Sequence, residues 1–178
     1  MLTITEALAE LKTLGKRIEK KREYVMSFLY RQDGIKDPLE KDGGSVEAVR
    51  RERQAIADLE TRHVAIRVAI QKKNQETTIT IGETTKTIAE WLTWRKEIAQ
   101  GAQAFVNKIR MNIQGARNTA QQKGWGVVAP GAVAAQSADV LINVDEAQLA
   151  ADAEQFETIL GTLDGQLSLK NATVMIDV

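Results

Sequence analysis

Positions 4, 8, 11, 15, 18, 22, 25 and 29 advance by alternating steps of four and three. Six of the eight are apolar (Ile4, Leu8, Leu11, Ile18, Val25, Leu29), with Gly15 and Arg22 interrupting. Such stepping is the seam of a helix that packs in coiled-coil fashion. Thr3 and Glu6 have capping-box spacing and start the helix near residue 4. It stops before Asp33-Gly34, and Asp37-Pro38 and Asp42-Gly43-Gly44 keep the next stretch non-helical. Ser45 is the expected N-cap of a second helix, with the stripe Val49, Ile56, Leu59, His63, Ile66 and Ile70. At 1.5 Å per residue each helix reaches roughly 40 Å, and the modest loop favours an antiparallel hairpin.

The period then shortens to two. Thr78 and Thr80 alternate with Ile79 and Ile81, Gly82-Glu83 turns, and Thr84-Thr85-Lys86-Thr87-Ile88 follows, a β-hairpin pattern. Thr87 and Glu90 form a second capping box. The third helix carries Ile88, Trp91, Ile98, Ala102, Phe105, Ile109 and Ala116 and ends near Gly124; Gly101 and Gly115 weaken it. Residues 124–139 read as a loop and 140–144 as a short strand. Asp145 and Gln148 cap a fourth helix with Leu149, Ala153, Phe156, Leu160 and Leu163 on one face. Gly161 and Gly165 are potential breaks, beyond which Leu167 and Leu169 continue in bent form. At the end, Val174, Ile176 and Val178 alternate with Met175 and Asp177 as a terminal strand.

The chain has two similar beginnings. Thr3-Ile4-Thr5-Glu6-Ala7-Leu8 recurs as Thr87-Ile88-Ala89-Glu90-Trp91-Leu92, and Lys73-Asn74 before a Thr/Ile run is echoed by Lys170-Asn171 before the terminal strand. A supersecondary unit used twice would give this pattern, by duplication or by chance. The expected architecture is mainly α: two antiparallel long-helix hairpins, coiled-coil-like, with a small β element at one end. Strand-like pieces 2–4, 77–81, 85–88 and 173–178 would form one capping sheet, with loops 31–44 and 124–145 at the other end. The expected organisation is a single elongated domain, 1–178, with a helical hairpin over 1–76, a β-hairpin over 77–88 and a second helical hairpin over 89–178 that includes the long loop 124–145.

Composition supports helices over a compact mixed fold. Hydrophobic residues make up 43% of 178 but aromatics only 4%, and there is no cysteine, which excludes disulfides and thiol chemistry. The start, Met1-Leu2-Thr3-Ile4, has no signal-peptide pattern, and no apolar run nears the ~20 residues of a membrane span. A soluble protein, cytoplasmic on synthesis, is expected, without a membrane partner. Net charge is zero but unevenly spread. Residues 124–178 hold one basic and eight acidic groups (1 − 8 = −7), leaving 23 basic and 16 acidic before them (23 − 16 = +7). The acidic fourth helix is therefore expected against basic helices, of its own chain or of another subunit.

Candidate chemistry is sparse. His63, the single histidine, falls on the seam of the second helix, where a packed histidine is the ordinary case. One histidine and no cysteine exclude the usual zinc sets. Ser27, Ser45, Ser137 and Ser168 lack a nucleophile-elbow context, so no catalytic residue, metal or cofactor is assigned. Asp33, Asp37, Glu40 and Asp42 crowd one loop without EF-hand spacing. Gly124-Trp125-Gly126 lacks the later glycine and preceding strand of a phosphate loop. The run Lys16-Arg17-Ile18-Glu19-Lys20-Lys21-Arg22 is interrupted by an acid in a chain of zero net charge, which argues against nucleic acid as partner. Trp91 and Trp94, one turn apart, are candidates for core packing or a subunit contact, because Trp is enriched at interface centres. Trp125, with Val127, Val128 and Pro130 in a long loop of small apolar residues, is the stronger partner-binding candidate.

Lys73-Asn74-Gln75-Glu76-Thr77-Thr78, then Gly82, Thr85, Thr87-Ile88-Ala89-Glu90 and Arg95, resembles septicolysin-like small helical proteins. In these a helix ends in Asn and Thr, passes a short strand and turn, and restarts with Thr, an apolar residue and an acid. Leu8, Leu11, Lys16, Arg17 and Ile18 resemble that family's first helix. The resemblance covers roughly the first 110 residues, and residues 124–144 have no place in it. The pore-forming activity implied by the family name finds no membrane segment here. Short, cysteine-free, heptad-rich chains are also similar to phage and prophage accessory proteins.

These readings converge on a non-enzymatic homo-oligomer that acts through protein–protein contacts. The expected role is a structural or accessory component of a phage virion, bound to itself and to another structural protein. The alternative is a phage-encoded binding protein that sequesters a small ligand or host protein in counter-defence, with Arg22, His63 and Arg95 as polar groups of an oligomer pocket.

Overall fold

A computed structural model describes residues 1–134 and 139–177. Ser137 and Val178, the last residue of the expected terminal strand, lie outside them. The protein is mainly α. The chain divides into two compact units, Met1–Thr77 with Ser168–Val178, and Thr78–Leu167.

The first unit is built on an antiparallel pair, α1 (Ile4–Ser27) and α2 (Ser45–Glu76), separated by a loop with a 3-10 turn at Glu40–Asp42. The capping box at Thr3 and Glu6 is formed as expected, each partner bonding the other's backbone N–H. The α1 seam differs from expectation in phase: Ile4, Ala7, Leu11, Leu14, Ile18 and Val25 are buried, while Leu8 and Leu29 are exposed. The step of three precedes the step of four, so Ala7 and Leu14 take the places assigned to Leu8 and Gly15. A small residue at 7 lets the helices approach closely where Ile66 and Ile70 of α2 pack on Ile4, Leu11 and Leu14. β1 (Leu2–Thr3) and β6 (Met175–Ile176) pair antiparallel and bring Ile176 onto this core. Ion pairs Glu10–Arg62 (3.0 Å), Lys21–Glu52 (2.6 Å) and Arg22–Glu60 (2.6 Å) rim the pair; half-exposed pairs of this kind set register more than stability.

The second unit opens with a hairpin of β2 (Thr78–Ile81) and β3 (Thr84–Thr87). Gly82, at φ 58°, takes the first turn position, which suits the right-handed twist of a tight hairpin. Ile79 and Ile81 face inward, with Thr78 and Thr80 outward. Thr87 and Glu90 form the second capping box and launch α3 (Ile88–Thr93). A π-helical turn over Trp94–Ile98 then leads into α4 (Ala99–Lys123). The expected third-helix stripe is corrected in part. Ala102, Ile109 and Ala116 are half-buried as expected, but Ala99 replaces Ile98 as the buried position, and Val106 and Ile113 face the core while Phe105 is exposed. α4 ends at Gly124, φ 68°, with the Trp125 N–H donating to the Ala120 carbonyl (2.9 Å), a glycine C-cap.

Within the segment read as a loop, β4 (Val127–Val128) pairs parallel with β5 (Val140–Leu141). α5 (Glu146–Thr173) then runs unbroken through Gly161 and Gly165, so neither glycine breaks the helix and Leu169 points outward rather than along a bent core. Asp145 caps it by accepting from the Ala147 and Gln148 N–H groups (2.9 and 3.2 Å). The Gln148 side chain bonds Asp152 instead of completing a box. Leu163 and Leu167 of α5 close over Ile79, Ile81, Ile88 and Trp91, and Leu149 packs with Ile113 and Ile142.

The single capping sheet is not formed. β1 with β6 and β2 with β3 are separate two-stranded sheets. Thr3 and Thr87 are helix caps, so β1 and β3 end where they would need to lengthen.

Candidate functional site

The α1–α2 loop is pinned by one carboxylate. Asp37 accepts from the Ser45 hydroxyl (2.6 Å), the Ser45 N–H (2.8 Å) and the Leu39 N–H (2.9 Å). These bonds, with the Arg31 charge nearby, hold its pKa down at about 2. Ser45 is thus not the N-cap but the first helical residue; Gly44 holds the cap position, and Asp37, eight residues upstream, satisfies the helix end. This gives the acidic loop a structural role. Among the described residues no group of His, Cys, Asp or Glu could hold a metal ion.

With the loop fixed, α1 delivers Phe28, Leu29 and Tyr30 opposite Pro38, Val46 and Val49. They line a cleft of about 500 Å³, joined by Arg31, Arg50 and Arg53. Arg31 donates to the Ile35 carbonyl (2.6 Å) and Arg50 pairs with Glu47 (2.7 Å). Glu47 is held below the usual carboxylate range by that Arg50 hydrogen bond. Tyr30 is 90% exposed, Val46 86% and Met26 66%, with Leu29 and Ile35 also half in solvent. Leu29, Tyr30 and Val46, exposed on one cleft rimmed by arginines, have the composition of a protein–protein contact. Farther along the pair, Arg17, Lys20, Lys21 and Tyr24 face Glu52, Ala55, Asp58 and Leu59 across a groove of about 650 Å³.

The residues singled out by sequence are distributed differently. Trp91 is buried: its Nε1–H donates to the Ile79 carbonyl (3.0 Å) and Lys86 sits over its ring. Trp94 is half-buried, edge-on to Trp91 and beside Phe156. Trp125 is half-buried with the Lys123 ammonium 4.3 Å from its ring centre. Val127 and Pro130 are exposed and Val128 half-buried. The Gly126 N–H donates to Asp139 (2.8 Å), and a Cβ at 126 would come within 2.7 Å of that carboxylate, so a side chain there would push Asp139 aside. Arg22 is committed to Glu60 and Arg95 to Asp164, while His63 is half-buried on the inner side of α2. The ion pairs Arg95–Asp164 and Arg117–Glu146 place the acidic α5 against basic positions of its own unit.

The tip cleft was missed by sequence reading. Its signal was the run Phe28-Leu29-Tyr30, apolar beyond the end of the seam, followed by Pro38 and Val46 out of phase with either helix.

Fold and site together define a mainly α protein with an exposed apolar cleft at a helical-hairpin tip. No family model, curated protein or solved structure matches the chain. Among the described residues no helix is long and apolar enough to cross a membrane.

Proposed function

We propose that this chain is a non-enzymatic oligomeric structural or accessory protein that works through protein–protein contacts, in the setting of a phage virion. The observation that carries the reading is the tip cleft. Three hydrogen bonds to Asp37 hold the loop beside it, and Tyr30 and Val46 line the cleft in solvent; an exposed aromatic is the usual anchor of a protein interface. The virion setting rests on the similarity of a cysteine-free, heptad-rich chain to phage accessory proteins. Mass spectrometry of gradient-purified particles from the strain carrying the gene tests it. Recovery in constant ratio to the particle's major protein supports the reading; absence from washed particles overturns the virion placement.

The second reading, sequestration of a small anionic ligand, is favoured by the groove bearing Arg17, Lys20 and Lys21. A thermal shift with nucleotides that is lost in Arg17→Glu would select it over the first.

A further inference from the structure

The outer face of α2 carries no charge over 19 residues. Ala57, Thr61, Val64, Val68, Gln71 and Gln75 recur at steps of four and three, and all six are exposed. Val64 and Val68 are 59% and 56% exposed, on the side away from buried Ile66 and Ile70. α1 behaves differently over residues 12–23: its outward positions Lys12, Lys16, Glu19 and Glu23 put a charge on each turn there. Solvent alone gives no reason for one helix of a pair to lose its outer charges while the other keeps them.

We propose that this face is a second seam, on which α2 of another copy of the chain packs antiparallel. The inference rests on the reading that the chain self-associates and names the face that does it. Thr61, Val68 and Gln75 take heptad position a and Ala57, Val64 and Gln71 position d. In an antiparallel pair a meets d, so Val64 of each copy packs on Val68 of the other and Thr61 on Gln71. The flanking charges choose this register. Asp58 comes beside Lys72 of the second copy, twice; within its own chain Lys72 has no carboxylate partner among the described residues, and Asp58 takes only the Gln54 amide (2.9 Å). Arg67 beside its own copy is the one like-charge meeting. Parallel pairing would set Arg67 against Lys72 on both sides; an antiparallel shift by one heptad would set Lys72 against Arg51 on both sides in one direction, and in the other would place it beside Ala65 and lose both Asp58–Lys72 pairs. The seam is roughly 28 Å long, so the interface is at the small end, below about 1,200 Å² in total, and association depends on concentration.

The absence of cysteine makes the test clean. Full-length Thr61→Cys and Gln71→Cys are oxidised under mild conditions, separately and mixed, with light scattering on the unmodified chain alongside. The expected result is about tenfold more disulfide-linked dimer in the mixture than in either variant alone, because only the antiparallel layer brings 61 and 71 within disulfide reach. Asp58→Lys is expected to weaken dimerisation about tenfold, and Lys72→Asp in the same chain to restore it. Cross-linking of each variant with itself would overturn the antiparallel register. A scattering dimer without the mixed cross-link would overturn this seam and leave the oligomeric reading standing. A monomer at every concentration would overturn both.

Discussion

The buried stripe of α4 takes in Ile113 and leaves Phe105 outside, and truncation measures the difference. Phe105 is 65% exposed and Ile113 only 9%. About a third of a phenylalanine side chain of about 200 Å² is out of water, which at about 25 cal/mol/Å² is worth about 1.5 kcal/mol. Alanine is the better helix former by about 0.5 kcal/mol, so Phe105→Ala should cost about 1 kcal/mol. Ile113 is nearly fully buried against Ile142 and Leu149, and Ile113→Ala should cost about 3 kcal/mol once the cavity is included. The expected heptad stripe through Ile98, Phe105 and Ile109 would reverse the order, with Phe105 inside and costing about 3–5 kcal/mol. Urea unfolding followed by far-UV circular dichroism reads both variants, provided the slope m is unchanged. A Phe105→Ala variant as damaged as Ile113→Ala, or more so, would refute this placement of the stripe.

Three further outcomes are expected. Asp37 has a folded pKa of about 2 against a usual 3.8; a depressed carboxyl contributes stability above its unfolded pKa and loses it as pH falls through the folded one. The urea-midpoint gap between wild type and Asp37→Asn should therefore be full at pH 7 and shrink between about pH 4 and pH 2, and a gap independent of pH would contradict the capping role. Gly126→Ala should displace Asp139 and loosen the β4–β5 pair, seen as amide exchange of Val140 and Ile142 (bonded to the Gly126 and Val128 carbonyls) accelerating by about tenfold; unchanged protection would count against it. Thr87→Ala removes the acceptor for the Glu90 N–H (3.1 Å) and should cost about 1 kcal/mol in the same urea assay, with a loss below a quarter of that speaking against the box.

Local signals were legible where one residue type has one use. Thr3 with Glu6 and Thr87 with Glu90 gave both helix starts, and each Glu is held below the usual carboxylate range chiefly by the backbone N–H of its Thr. Ile79 and Ile81 gave the hairpin's inner face, and Gly124 the end of α4. Phase was harder. Leu8 and Leu14 are the same residue type on either side of the α1 seam, and only packing against α2 decides that Leu14 goes in. A four-and-three count along α4 takes in Ile98 and Phe105, each one residue short of Ala99 and Val106, which go in. Gly161 and Gly165 read as breaks because their local cost is real, but Leu163 and Leu167 bury enough surface to hold α5 continuous. β5 falls within the strand read at 140–144, but its parallel partner β4 was hidden because it is two residues long and sits beside a Gly126–Asp139 contact thirteen residues apart. The cleft at the hairpin tip was invisible for a related reason: Asp37 reads as one of several loop acids until its bonds to Ser45 are seen.

Association is the central claim, and light scattering on the purified full-length chain, in series up to millimolar concentration, tests it most directly. The expected mass rises above that of one protomer as concentration increases, and the rise is suppressed in Val68→Asp. A single protomer mass across the whole range, with wild type and Val68→Asp superimposed, would contradict it.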